Sequence, residues 1–298
     1  VYKRQPLAGV IQHLRESAPA MILYPEIGLS PNIYPLAALR LAPTQLAAWG
    51  HPVSSGLATI DAWLSCAEME PADGAEHYRE PLHLLPGLGT AYARPAAAAT
   101  ATRAQLGLPE SGRLYLAPHS PVKLHPAFDA LIARIVAADP AAAVVMFEDN
   151  APSLTQRLRQ RMAQAGVDPD RHVRWLPRAT PEQFRAVMRA CDVLLDSPGF
   201  SGGNTSLDAI AQGLPLVTLP GASMRSRQSA AMLRACGCAE LIADSAADYV
   251  DRALRVANEP AYAAGLRGRL LDPGTGLFDD PRPLTALVET LERLHALQ

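Results

Sequence analysis

From Arg113 onward, short apolar runs alternate with stretches in which apolar residues recur at helical spacing. The runs predict strands at Leu114–Ala117, Ala143–Phe147, Val173–Leu176, Val193–Leu195, Leu216–Leu219 and Glu240–Ala243. The periodic stretches predict helices at Pro126–Ala138, Leu154–Ala165, Pro181–Ala190, Thr205–Gln212, Arg227–Ala235 and Ala246–Ala257. Ser153, Thr180 and Ser245 fit N-caps, because a hydroxyl can accept from the free N–H groups of a first turn. Gly166, Gly213 and Gly237 fit stops, since glycine readily takes the left-handed backbone that ends a helix. Strands apolar on both faces, each followed by a helix, imply a doubly wound parallel sheet. In such sheets ligands bind beyond the carboxyl ends of the strands.

The first hundred residues repeat the pattern less completely. Strands are expected at Met21–Tyr24, Gln45–Trp49, Ile60–Leu64 and Leu82–Leu85, and helices at Leu7–Glu16, Asn32–Leu41 and Pro71–Tyr78. Four strands are few for a free-standing Rossmann-like lobe and the chain opens on Val1 rather than Met, so a truncated N-terminal lobe is expected. The low-complexity stretch Ala93–Thr102 (ARPAAAATAT) reads as a linker. The expected organisation is therefore a partial lobe over 1–95, a linker over 96–112 and a second lobe over 113–298 that closes with a helix at Pro283–Leu297.

Composition narrows the class. With 298 residues, 49% hydrophobic and 19% charged, the chain is long enough for two packed cores. A formal charge of −2 lacks the basic excess of a nucleic-acid binder. No apolar run is long enough to cross a bilayer and no signal-peptide pattern is visible, so no membrane association and a cytoplasmic location are expected. The four cysteines are sparse, and the Cys236–Cys238 pair lacks a second ligand pair, so no metal site and reduced thiols are expected.

The stretch Asp196–Asp208, DSPGFSGGNTSLD, carries the clearest chemistry. It joins an apolar strand to a helix through Gly202 and Gly203, which bring no Cβ and let a ligand lie against the main chain. Asn204, Thr205 and Ser206 then open a helix whose unpaired N–H groups favour a diphosphate, and Asp208 lies one turn in, placed to hold a ribose hydroxyl. An ordinary capped turn between strand and helix has the same local pattern. A second loop, Ala117–Pro126, carries Lys123, the only lysine after Lys3 and a compact cation for phosphate charge. His119 and His125 in that loop suit stacking or phosphate contact, or plain structural roles. Arg225 and Arg227 follow the fifth strand, suited to lining a cleft or pairing with carboxylates, and His51 lies in a loop that Gly50 and Pro52 open to a ligand. No GxGxxG or P-loop lysine motif is present.

Taken in order, LYPEIG at Leu23, LRLAPTQLAAWGHPVSSG at Leu39, EHYREPLHLLPG at Glu76, HSPVKLHP at His119, DVLLDSPGFSGGNTSLDAIAQGLPLVTLPG at Asp192, MRSRQSAAML at Met224 and ELIADSAADYV at Glu240 resemble glycosyltransferase family 41, the O-linked N-acetylglucosamine transferases and their bacterial SPINDLY-type relatives. The resemblance implies an α/β, GT-B-like fold of two Rossmann-like lobes and a UDP-sugar donor held mainly by the C-terminal lobe. Lys123 matches the family lysine that contacts the UDP diphosphate. Gly203, Asn204 and Thr205 match the family's glycine/threonine-rich helix start, Asp208 matches the ribose-binding aspartate, and Ser120, Gly202 and Ser206 are further expected UDP-sugar contacts. Ala179 and Phe184 fall in the segment that holds uracil, and Gly50 and Pro52 match the loop beside the donor sugar. Two departures stand out: GGNT replaces the GHTT of many members, and Phe184 replaces a histidine.

The implied reaction is inverting, metal-independent transfer of N-acetylglucosamine from UDP-GlcNAc to Ser/Thr hydroxyls of a protein or peptide acceptor, with Lys123 catalytic and no cofactor beyond the donor substrate. The resemblance places the proton acceptor, and any tetratricopeptide repeats, upstream of residue 1. Transfer of another hexose to asparagine or another acceptor, and UDP binding without activity, are the alternative expectations.

Overall fold

A computed structural model describes residues 6–296, and Cα packing divides them into two compact units. The first takes the chain through Tyr92 together with 223–225 and the residues from Asp279 on, and the second takes 93–222 and 226–278. Leu297, expected to end the last helix, lies outside the described residues.

In the first unit, α1 (Leu7–Ser17), β1 (Met21–Tyr24), α2 (Ile33–Ala37), β2 (Thr44–Ala48), β3 (Ala62–Cys66) and β4 (Leu82–Leu85) follow in order. The four strands are all parallel, in spatial order β1-β2-β3-β4. Tyr24, Leu36, Ala47, Ile60 and Trp63 form the core, and Leu7, Val10, Ile11 and Leu14 of α1 pack against it from one helical face. Two of the predicted helices are shorter than the pattern suggests. Asn32–Leu41 keeps only the five residues of α2, and Pro71–Tyr78 keeps only a 3-10 turn at Gly74–His77. Pro35 within α2 removes a backbone donor, and the segment runs out before a second turn closes.

The loop after β2 is fixed from two sides. A Cβ on Gly50 would lie 2.3 Å from the Pro25 carbonyl oxygen, so only glycine lets the loops after β1 and β2 meet. From the other side the buried Glu80 carboxylate accepts from Ser54 Oγ (2.7 Å), the Ser55 backbone N–H (2.9 Å) and the Ser55 hydroxyl.

The second unit runs β5 (Arg113–Leu116), α3 (Pro126–Ala138), β6 (Ala142–Phe147), α4 (Pro152–Gln164), α5 (Pro169–His172), β7 (Val173–Leu176), α6 (Pro181–Ala190), β8 (Val193–Leu195), α7 (Asn204–Ala211), β9 (Leu216–Val217), α8 (Gln228–Ala235), α9 (Ala246–Asn258) and α10 (Pro260–Leu271). A final helix, α11 (Arg282–Ala296), belongs to the first unit. The five strands are parallel in the order β7-β6-β5-β8-β9. Val193, Leu194 and Leu195 are fully buried, each contributing about 1.5–3 kcal/mol, so the strand that delivers the glycine loop is firmly anchored.

Thr180 caps α6 in a full capping box with Gln183, and Ser245 caps α9 by accepting from the Asp248 N–H. Ser153 is not the cap of α4, because Pro152 supplies the first helical residue and Ala151 precedes it. Nor is Glu240–Ala243 a strand. Ala239–Leu241 forms a 3-10 turn and only Ile242 bridges to Thr218. The partner, β9, is two residues long between Pro215 and Pro220, so it offers too little edge for another ladder. Ala93–Thr102 contains no helix or strand yet is fastened to the second unit, where the Gln212 amide accepts from Ala98 N–H (2.8 Å) and donates to Ala96 O (3.1 Å).

Candidate functional site

In the five-stranded sheet the strand order reverses between β5 and β8, which lie side by side. At such a reversal the loops leaving two neighbouring strands diverge to opposite faces and open a crevice at the carboxyl edge. The two loops here are 117–125 and 196–203, the two stretches that the sequence singles out. They are tied together, since the Ser197 hydroxyl donates to the Lys123 carbonyl at 3.3 Å.

Asp196, at the end of β8, organises the second loop. It is 1% exposed and accepts from the Ser201 hydroxyl (2.8 Å), the Gly202 N–H (2.8 Å) and the Thr218 hydroxyl (2.6 Å). Its backbone carbonyl accepts from Tyr249 of α9 at 2.9 Å. His119 Nε2 lies 3.2 Å from Asp196 Oδ1 without hydrogen-bond alignment, and neither ring nitrogen has another partner. His119 is therefore a buried neighbour of the loop's anchor rather than an exposed stacking platform. His125 is structural, accepting from the Ala127 N–H at 3.2 Å at the start of α3.

Lys123 ends a 3-10 turn at Pro121–Lys123, and its ammonium sits 4.5 Å from the centroid of the Phe200 ring. Desolvation on the protein side lowers its pKa, while the side chain keeps open contact with solvent. The charge thus faces the glycine loop, within reach of a ligand. Four residues past Phe200, α7 begins at Asn204 with Gly203 as its cap residue and no side-chain cap. The Ser206 and Leu207 N–H groups both turn back to Gly203 O, whereas those of Asn204 and Thr205 precede the first intrahelical acceptor. Gly202 has no space for a side chain, as a Cβ would come within 2.3 Å of Ser206 Oγ. Ser206 faces inward, fully buried, with its hydroxyl 2.8 Å from that of Ser229. Asp208, half-buried, has its pKa raised by burial against the opposing pull of Arg185.

Beside this cradle a cavity of about 300 Å³ opens beyond β5, β6 and β7, lined by His119, Ser120, Phe147, Arg178, Ala179 and Phe184 among others. The Phe147 and Phe184 rings stand 5.2 Å apart at 50° and form its aromatic wall. Ser120 donates to Asp149 at 3.3 Å. Gly50 and Pro52 belong to the first unit, in the loop that Pro25 and Glu80 fix, and the His51 ring packs on Gly28. Arg227 donates to the Gly221 carbonyl at 3.2 Å. The sequence does contain an Asp-x-Asp triplet, Asp168–Asp170, but it serves the fold: Asp168 caps α5 and Asp170 pairs with Arg159 at 3.1 Å. Among the described residues no cluster of three or more His, Cys, Asp or Glu could hold a metal, and no helix is long and apolar enough to cross a membrane.

Local pattern missed the parts played by Asp196, Phe200, Phe147 and Arg178. An acid at the end of a buried strand, followed by serine and glycine, is a usable signal for Asp196. Phe147 and Arg178 gave none, because only the sheet brings the ends of β6 and β7 together.

The profile of Glycosyl transferase family 41 matches residues 87–276, spanning both loops and the cavity. The chain belongs to this family. It is 33% identical over 126 residues to the UDP-N-acetylglucosamine--peptide N-acetylglucosaminyltransferase of Caenorhabditis elegans, covering 42% of this chain and 11% of that one. It is 27% identical over 297 residues to the UDP-glucose:protein N-beta-glucosyltransferase of Actinobacillus pleuropneumoniae serotype 5b (strain L20), covering 96% of this chain and 46% of that one. Among solved structures, the Thermobaculum terrenum O-GlcNAc transferase mutant K341M superposes with a TM-score of 0.82 at 23% identity, over 98% of this chain and 56% of that one. The family 41 chain thus has the GT-B fold of these glycosyltransferases and spans about half the length or less of the curated relatives it matches.

Proposed function

We propose that this chain forms the donor-binding and catalytic region of an inverting, metal-independent glycosyltransferase acting in the cytoplasm, moving N-acetylglucosamine from UDP-GlcNAc to Ser/Thr hydroxyls of a protein or peptide. One observation carries the reading: the Lys123 ammonium rests on Phe200 of the very loop that ends in the uncapped start of α7. A cation and a helix N-terminus at one sheet reversal suit a diphosphate, and the adjoining aromatic-walled cavity suits its base. In the reaction the acceptor oxygen attacks the anomeric carbon from the face opposite the diphosphate. The bond from that carbon to the diphosphate oxygen breaks with its electron pair, and the acceptor proton passes to a base. The charge gathering on the departing UDP is met by Lys123 and by the Asn204 and Thr205 N–H groups, which are oriented before the reaction begins. Asp208 holds the ribose.

A second reading, hexose transfer to asparagine, is favoured by the relative from Actinobacillus pleuropneumoniae, whose match runs over 96% of this chain. Incubating the full-length protein with UDP-GlcNAc and with UDP-glucose, each against Ser/Thr and Asn peptides, tests both. Product from UDP-GlcNAc on hydroxyl peptides supports the first reading, and product only on asparagine replaces it with the second. UDP binding without any product would leave a nucleotide-binding module.

A further inference from the structure

We propose that Gln228 is a donor-binding residue, its side-chain amide donating a hydrogen bond to the diphosphate at the start of α7. The proposal rests on the UDP-sugar reading above and adds a group to it. Gln228 opens α8 and is 4% exposed, and its amide oxygen lies 2.9 Å from where a Cβ on Gly203 would stand. Gly203 is the cap residue of α7, so the amide sits over the entrance of that helix. Among the described residues no hydrogen bond to this amide is found, and its polar atoms are not sealed from solvent although the residue as a whole is buried, so a ligand can reach them. A side chain nine-tenths buried whose amide finds no protein partner, opening onto an anion cradle, suits a ligand that completes it.

The placement is built rather than incidental. Ser229, the next residue, donates its N–H to Ser201 Oγ at 2.9 Å, and its hydroxyl lies 2.8 Å from both Ser201 Oγ and Ser206 Oγ and donates to Gly202 O at 3.3 Å. These four contacts clamp the first turn of α8 onto the glycine loop. The absence of a Cβ at Gly203 leaves the amide its room. With Lys123 approaching from the first loop and the α7 N–H groups below, Gln228 supplies a neutral donor from a third element.

The test uses the full chain and UDP, read by calorimetry and by the UDP-induced rise in melting temperature. Gln228→Met keeps length and apolar stem but removes the donor, and Gln228→Glu replaces it with a charge that repels phosphate. The expected result is a UDP dissociation constant raised about tenfold by Q228M and further by Q228E, with the ligand-free melting temperature of Q228M unchanged. Equal UDP affinity in wild type and Q228M would overturn the proposal. So would a Q228M variant whose ligand-free melting temperature falls along with its affinity, because that marks a packing role. No UDP binding by the wild type would instead remove the UDP-sugar reading on which the proposal stands.

Discussion

Lys123 and Phe200, seventy-seven positions apart in sequence, meet face to face, the ammonium 4.5 Å from the ring centroid. The ring offers its electron-rich face and little hydrogen bonding, so it can hold the cation in place while leaving its donors to a ligand. The loops carrying the two residues leave neighbouring strands, which is why the pair can form at all.

Removing the cation tests its role directly. Lys123→Ala is expected to lower transfer by about 10²–10³-fold in kcat, the cost of losing one oriented group that stabilises developing charge. Its urea midpoint should stay at the wild-type value, since the side chain is open to solvent. Turnover at the wild-type rate would remove Lys123 from the mechanism.

The same lysine predicts a pH dependence. Desolvation lowers its pKa below the usual lysine value, and the diphosphate needs the charged form. Donor affinity should therefore fall as pH rises through that lowered value, earlier than an ordinary lysine would allow. Lys123→Arg, which stays charged, should abolish this alkaline limb in a plot of UDP affinity against pH. A limb that survives the replacement belongs to another group.

The two adjacent glycines should respond differently to alanine. A Cβ at 202 meets Ser206 Oγ at 2.3 Å inside the buried serine network, whereas one at 203 meets the end of the Gln228 side chain at 2.9 Å, which can swing aside. Gly202→Ala should destabilise by about 2 kcal/mol in urea unfolding and Gly203→Ala by less than about 1 kcal/mol, while both weaken UDP binding. Equal stability losses would mean that the serine network yields more easily than its packing suggests.

Glu80 links stability of the first unit to pH. Burial opposes its ionisation, but hydrogen bonds from Ser55 and Ser54 outweigh that and hold its pKa below the usual glutamate value. A carboxyl lowered on folding stabilises above its unfolded pKa and loses that contribution as pH falls through the folded value. Glu80→Gln should therefore cost about 1–3 kcal/mol at neutral pH, with the difference from wild type shrinking in acid. Urea titrations across that range would show it, and a cost that does not vary with pH would count against the carboxylate.

Metal independence has a simple measurement. Transfer by the full-length protein should be unchanged by excess EDTA and unaffected by added magnesium or manganese. Activity that needs the added metal would shift the charge-neutralising role away from Lys123 and α7.

Much of the fold is legible in the chain because its strands are nearly all-apolar and its helices begin and end with recognisable caps, as Thr180 and Ser245 show. The failures are instructive. Glu240–Ala243 is apolar enough for a strand, but pairing needs a partner edge, and β9 is too short to give one. α10 escaped notice because only Leu266 and Leu270 are buried along it, so its apolar stripe is too thin for a periodic signal.

The order of apolar and polar residues by itself determined the alternation of strand and helix and the glycine turn that opens α7, both of which depend on contacts within a few residues, and that alternation in turn implied parallel sheets. Only the tertiary structure decided that β5 lies beside β8, that Asp196 gathers donors from Ser201, Gly202 and Thr218, and that Gln228 reaches over Gly203. Hydrogen bonds and cation–ring contacts act over a few ångströms, whatever the separation along the chain. Their partners are set when the sheet closes, and no local pattern encodes them.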